Sequence, residues 1–327
     1  MNDMRAAARP RIEWRPVHGV LLLDKDAGSS SNAALQIAKR GFRAEKAGHT
    51  GTLDPLASGL LPICFGAATK FAQASLAADK RYLATLRLGV TTTTGDLEGD
   101  VVARVANVVA SRADFERACA TLVGESQQVP PMHSALKHGG KPLYAYARAG
   151  VAVERAPRRV RVDALRVVEG AGDRWTVEIA CSKGTYVRTL AEDLGAVLGC
   201  GAHLEALRRT GSGALDVGHS VRLTDLDAIA DESSRDRLLL SPDVLLSAAP
   251  AITLASTDAA RFLTGLRRRI DSADAALVRV YGPDPGAFLG SGHVRAGELI
   301  ASRLLSPDEV AVLVERRRTP VRESLPA

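Results

Sequence analysis

Short apolar blocks alternate with polar, glycine-bearing stretches along most of the chain. The first block, Gly19-Val20-Leu21-Leu22-Leu23-Asp24-Lys25, is apolar until two charges close it. This predicts a buried strand whose end reaches a polar site. Ser29-Ser30-Ser31-Asn32 then offer N-cap hydroxyls, and Leu35, Ile37 and Ala38 recur at helical spacing with Gly41 as the expected C-cap. A second apolar run, Leu60-Leu61-Pro62-Ile63-Cys64-Phe65, follows a glycine-rich loop. Strands are expected over residues 82–88, 160–168 and 175–180, and a polar turn over 91–95. Ser111 and Asp114 open a helix over 115–122. A further helix carries Val187, Leu190, Leu194 and Val197 on one face and ends at Gly199.

Two segments break this rhythm. Residues 124–152 hold Pro130-Pro131, Gly139-Gly140 and a basic-aromatic stretch, and long excursions of this type are functional or mobile. Ser247-Ala248-Ala249-Pro250 reads as a linker. Beyond it, short strands over 277–281, 287–290, 298–300 and 310–313 lie between Gly/Pro turns. They predict a β-rich unit of about 75 residues, consistent with a small barrel.

A length of 327 residues suits two domains. Hydrophobic residues make up 46% and aromatics 4%, so the cores are expected to be aliphatic. A net charge of +6 is compatible with a polyanionic partner and equally with a merely basic enzyme. Cys64, Cys119, Cys181 and Cys200 form no C-x-x-C pair and no zinc spacing, as expected of reduced cysteines in a cytoplasmic protein. Residues 1–17, which carry several arginines, are expected to form a flexible basic arm. They lack the apolar stretch of a signal peptide, and no run approaches the roughly 20 residues of a membrane span.

The usual phosphate-binding, dinucleotide and nucleophile-elbow motifs are missing from the sequence. Asp54 sits in a glycine-rich loop before Pro55, which biases it away from helical backbone. Such a carboxylate serves as nucleophile or base; an Asp-Pro pair also simply stabilises a turn. Lys183 and Arg188 follow a strand and a turn at a helix start, a place suited to phosphate or to a catalytic carboxylate. Tyr82 and Tyr186 offer faces on which an extruded base can stack. His49, five residues before Asp54, suits acid-base work or a planar wedge between bases. Lys25, and the set Lys137, Lys141 and Arg148, are candidates for phosphate contact. Each of these side chains has an ordinary alternative as surface or core-edge residue.

In combination these segments resemble the TruB family of pseudouridine synthases. The resemblance rests on Gly19 to Lys25, Ala47-Gly48-His49-Thr50-Gly51-Thr52-Leu53-Asp54-Pro55-Leu56-Ala57-Ser58-Gly59 and Lys80-Arg81-Tyr82. It continues through Val129 to Lys137, Cys181-Ser182-Lys183-Gly184-Thr185-Tyr186-Val187-Arg188-Thr189 and Gly201-Ala202-His203-Leu204. It covers about residues 19 to 210, and the Asp54 loop with the S-K-G-T-Y-x-R segment carries most of it. It implies an α+β fold: a mixed-sheet catalytic domain over 18–247, with 124–152 as an RNA-binding insertion, and a PUA-like β-barrel over 251–327.

The activity it implies is conversion of uridine to pseudouridine at position 55 in the tRNA T-loop. No cofactor, metal or obligatory protein partner is implied, and a monomer is expected. Asp54 is implied as the catalytic aspartate, acting as nucleophile or as base on the ribose, with Arg188 paired to it. Tyr82 is implied to stack on the target base and handle a ring proton, and Tyr186 and Leu207 to line the base pocket. His49 is implied to fill the space left by extruded bases, and Lys25 to support the site near the RNA backbone. Lys183 and Lys137 complete the expected RNA contacts.

One departure is visible: Asp26 follows Lys25 where the family usually has Pro. Three other readings share some of these features. They are a guide-RNA-dependent synthase, a tRNA-folding factor and an unrelated aspartate enzyme such as a glycosidase, which typically uses two carboxylates.

Overall fold

A computed structural model describes residues 12–108 and 110–318, with side chains as far as Arg316. The rest of the expected basic arm, residues 1–11, and the side chains of the Arg317-Arg318 tail lie outside the described residues.

In chain order the strands of the larger part are β1 (Gly19–Lys25), β2 (Ala47–His49), β3 (Ser58–Phe65), β4 (Lys80–Leu88), β5 (Val90–Thr92), β6 (Val101–Arg104) and β7 (Gly124–Gln128). Then come β8 (Lys137–His138), β9 (Lys141–Pro142), β10 (Arg158–Ala171), β11 (Arg174–Cys181), β12 (Ala202–Ser212), β13 (Leu215–Asp216) and β14 (Val221–Arg222). Between them lie the helices α1 (Ser31–Gly41), α2 (Ala72–Leu76), α3 (Arg112–Thr121), α4 (Leu143–Arg148) and α5 (Val187–Val197).

One ten-stranded sheet runs β14-β1-β3-β12-β4-β11-β10-β7, with β13 on β12 and β2 on β3. It is mixed: β3 pairs parallel with β12, whereas β12, β4, β11, β10 and β7 pair antiparallel in succession.

Burial on both faces explains the unbroken apolar runs of β1 and β3, since a strand covered on both sides has no need to alternate. Leu21, Leu23, Leu61 and Ile63 point into a core shared with α1, α3 and α5. In that core the rings of Phe115 and Trp175 stack at 4.5 Å. Val20, Leu22, Leu60 and Cys64 point the other way, into a second core with Phe71, Phe288, Leu305 and Leu313.

That second core joins the main sheet to the C-terminal unit. Its strands are β15 (Ala251–Thr253), β16 (Arg268–Arg269), β17 (Ala275–Tyr281), β18 (Phe288–Arg295) and β19 (Glu298–Leu304). They form a curled sheet in the order β15-β17-β18-β19-β16 around their own small core. The arrangement is consistent with a PUA-like half-barrel.

Several local expectations change. Residues 310–313 are helical, not a strand: they belong to a C-terminal helix, α6 (Pro307–Arg318). Ser306 and Glu309 cap it reciprocally, Ser306 Oγ accepting from the Glu309 N–H and Glu309 Oε2 from the Ser306 N–H. Gly41 is the last helical residue of α1, and Arg43 takes the left-handed backbone at φ 50°. Val197 is exposed. Residues 91–95 include part of β5, which pairs with β6. The first residues of the 124–152 excursion are the edge strand β7 of the main sheet.

Residues 12–17 are laid on the body: the Arg15 N–H donates to Arg43 O and its guanidinium binds Asp236 at 2.6 Å. The 247–250 segment is tied down by Arg279, whose side chain donates to Ala249 O and whose N–H donates to Pro250 O.

Candidate active site

The Asp54 loop connects β2 to β3 and is pinned from below. Ser31, at the start of α1, binds Leu53 twice: its Oγ accepts from the Leu53 N–H at 2.8 Å and donates to Leu53 O at 2.9 Å. Leu53 is buried beside this clamp, which leaves Asp54 as the next residue at the cleft surface. The Ala57 N–H closes the turn onto Asp54 O, and the Gly28 N–H donates to Pro55 O. Gly59 ends the loop at φ +98°, where a Cβ would lie 2.3 Å from Arg209 O, so β3 can approach β12 here only with glycine.

Opposite the loop stands Arg188 on the first turn of α5, its side chain only 5% exposed. It pairs with Asp54 Oδ2 at 2.9 Å and with Asp96 Oδ2 at 3.5 Å. It also donates to Thr94 O and His133 O at 3.2 and 2.7 Å. Asp96 is itself oriented, accepting from Thr94 Oγ1 and the Glu98 N–H. Burial raises the Asp54 pKa, Arg188 opposes that rise, and the charge of Asp96 adds to it. The resemblance placed Arg188 beside Asp54, and the geometry does so; Asp96, the second carboxylate on the same guanidinium, went unread.

A cavity of about 240 Å³ opens beside this pair, lined by Tyr82, Tyr186, Leu207 and Lys183 among others. Tyr82 and Leu207 reach it from the neighbouring strands β4 and β12. Burial raises the Tyr82 pKa, and the charge of Arg209, its cross-strand neighbour, opposes this. Tyr186 precedes α5. Its backbone is held by buried Gln128, whose Oε1 accepts from the Tyr186 N–H at 2.7 Å and whose Nε2 donates to Tyr186 O at 3.2 Å.

A second cleft of about 540 Å³ shares Asp54 and Arg188 and is lined by His49, Ser134 and Arg148. Burial, then the charge of Arg209, lowers the His49 pKa.

Two of the expected RNA contacts stand elsewhere. Lys25 is fully buried, and its ammonium donates to Asp26 O at 2.9 Å and Ser29 O at 2.7 Å. With a third bond to Pro55 O at 3.5 Å, it braces the β1 end and the Asp54 loop rather than facing a phosphate. Burial lowers its pKa to about 8. Asp26, the departure from the family pattern, supplies a carbonyl to that lysine, which Pro would also do. Lys137 lies exposed on the β8–β9 hairpin and does not line either cavity. Arg209 and Gln128 were also not singled out, because nothing in a strand pattern marks one arginine or glutamine as buried.

Residues 39–187 match the TruB family pseudouridylate synthase N-terminal domain. Residues 188–247 match the tRNA pseudouridylate synthase B C-terminal domain, and 250–305 the pseudouridine synthase II TruB C-terminal region. Fold and sequence thus define a pseudouridine synthase, an isomerase of uridine. Among relatives, tRNA pseudouridine synthase B of Verminephrobacter eiseniae is 54% identical over 95% of this chain and 96% of its own length. That of Burkholderia mallei is 54% identical over 91% and 97%. The chain belongs to the TruB family. The fold is also similar to a solved Cbf5-Nop10-Gar1 complex chain, with a TM-score of 0.69 at 24% identity, covering 94% of each chain. A chain of the archaeal box H/ACA sRNP Nop10-Cbf5 complex gives 0.67 at 22%, covering 90% and 88%.

Proposed function

We propose that this chain isomerises uridine to pseudouridine at position 55 in the T-loop of tRNA, with Asp54 as the essential carboxylate. It acts in the cytoplasm, as a monomer, without cofactor or protein partner. The observation that carries the reading is the Asp54–Arg188 pair at 2.9 Å, beside a cavity lined by Tyr82, Tyr186 and Leu207.

The uridine turns out of its stack so that its base enters this cavity. The N1–C1′ bond breaks, the uracil turns, and C5 bonds to C1′. C5 then loses its proton and N1 gains one, so atoms balance with no added reagent. Asp54 acts on the ribose, as nucleophile at the anomeric carbon or as base. Arg188 keeps the carboxylate aimed and favours its ionised form. Tyr82 stacks on the base and handles the ring proton. The ring of His49 fills the gap the base leaves. Lys183 at the cavity rim and Lys137 on the exposed hairpin meet phosphates.

The experiment is to incubate wild-type and Asp54→Asn protein with unmodified tRNA and map pseudouridine along the transcript. Product at the T-loop uridine with wild type alone supports the proposal. Equal product from both proteins, or none from wild type, overturns it.

A further inference from the structure

Arg209 is the largest charged side chain sealed inside this molecule, at 1% exposure. Among the described residues no carboxylate pairs with it. Its Nε donates to Leu60 O at 2.7 Å and its Nη2 to Gly51 O at 3.2 Å. Across the sheet its register partner on β4 is Tyr82. A buried cation without a counterion is costly, and well-packed apolar residues often replace such groups without loss of stability. The place of this one is informative. It sits on β12 behind the base cavity, which it helps to line, and its charge reaches Tyr82, His49, Lys25 and Lys80.

A guanidinium has donors and no acceptor. Toward its cross-strand neighbour Tyr82 it can act only as donor, to the phenol oxygen, which leaves the phenol proton for another partner. When that proton leaves, negative charge develops on an oxygen beside a fixed positive charge. The two carbonyl bonds extend the effect. Gly51 lies in the Asp54 loop and Leu60 on β3 just beyond it, so one side chain sets the spacing between the phenol and the carboxylate.

We propose that Arg209 is a positioning residue for the reaction: it aims the Tyr82 hydroxyl, stabilises negative charge on the phenol oxygen during proton transfer, and pins the Asp54 loop at a fixed distance from it. This rests on the reading above that Tyr82 handles the ring proton.

The test is single-turnover pseudouridine formation at saturating tRNA across pH. It compares wild type, Arg209→Gln, Arg209→Lys, Tyr82→Phe and the Tyr82→Phe/Arg209→Gln double variant, with tRNA affinity measured for each. Arg209→Gln is expected to slow the reaction at least tenfold while tRNA affinity stays within threefold. Arg209→Lys, which keeps the charge, should recover most of the loss. In the Tyr82→Phe background Arg209→Gln should cost less than threefold more. The pH limb that Tyr82→Phe abolishes should move upward in Arg209→Gln.

An equal fold-loss in both backgrounds with an unmoved pH limb would overturn the proposal and leave Arg209 as a loop tether. So would full activity of Tyr82→Phe. If Arg209→Gln does not fold, the Arg209→Lys arm decides: a wild-type rate and limb support the charge role, and a tenfold loss with normal tRNA affinity overturns it. Product from Asp54→Asn protein would strike the proposed function itself, whatever is found at Arg209.

Discussion

Burial around Asp54 raises its carboxyl pKa above the ordinary value near ~3.9, against the pull of Arg188 and with the help of Asp96. A carboxyl that binds its proton more tightly when folded stabilises the fold fully below the unfolded pKa. It loses that contribution as pH rises through the folded value. At neutral pH the ionised Asp54 therefore works against stability. Asp54→Asn protein is expected to melt at or above the wild-type temperature at pH 7, because Arg188 keeps Asp96, Thr94 O and His133 O. Calorimetry checks this, and a fall of several degrees would mean that the pair is a net stabiliser. The acid limb of activity should lie above the ordinary aspartate range. In Asp96→Asn it should shift downward, because a like charge is removed, even as the maximal rate falls with a less firmly held Arg188. An upward shift in the pH–rate profile would contradict that sign. Asp54 and Arg188 were legible because their short segments carry dense, ordered motifs. Asp96 was not, since Thr93-Thr94-Gly95-Asp96 reads as an ordinary polar turn until the fold brings it beneath Arg188.

At the scale of elements, α5 sets where Arg188 and Tyr186 stand, and its start lacks a side-chain cap of its own. Gln128 supplies the hold from β7, a strand at the far edge of the sheet. Gln128→Ala is expected to cost about 1–3 kcal/mol, the usual price of stranding buried backbone groups. It should lower the turnover rate more than tRNA affinity, because it lets the Arg188 turn drift while leaving Lys183 and Lys137 in place. Urea unfolding and single-turnover kinetics measure the two effects, and unchanged kinetics would detach β7 from the site. The sequence pattern showed the helix face and both apolar strands clearly, since period and run length are local properties. It did not show that Gly124–Gln128 is a strand, because Glu125, Ser126 and Gln127 are exposed and polar and the segment is a strand only by pairing with β10. It likewise mistook residues 310–313, whose Val and Leu content outweighed the Ser306–Glu309 capping pair.

Across the whole molecule, the back of the catalytic sheet is covered by the C-terminal unit. Val20, Leu22 and Leu60 share one core with Phe288, Leu305 and Leu313, and the rings of Phe71 and Phe288 lie 5.2 Å apart. Two polar ties reinforce the join: Lys70 with Glu309 at 2.6 Å, and the Tyr281 hydroxyl donating to Asp243 at 2.6 Å. The chain pattern suggests an appendage behind a linker, since composition cannot tell which face of β1 and β3 a later segment will cover. Because β1 and β3 bury their other face in the core beneath the site, loosening the C-terminal unit should loosen the Asp54 loop as well. Phe288→Ala is expected to cost about 3–5 kcal/mol, the range for emptying a buried aromatic position. Hydrogen exchange should then accelerate at the amides of β1 and β3 as well as at β17 and β18. Faster exchange confined to β17 and β18 would mean that the two sheets open independently and that the shared core does not couple them.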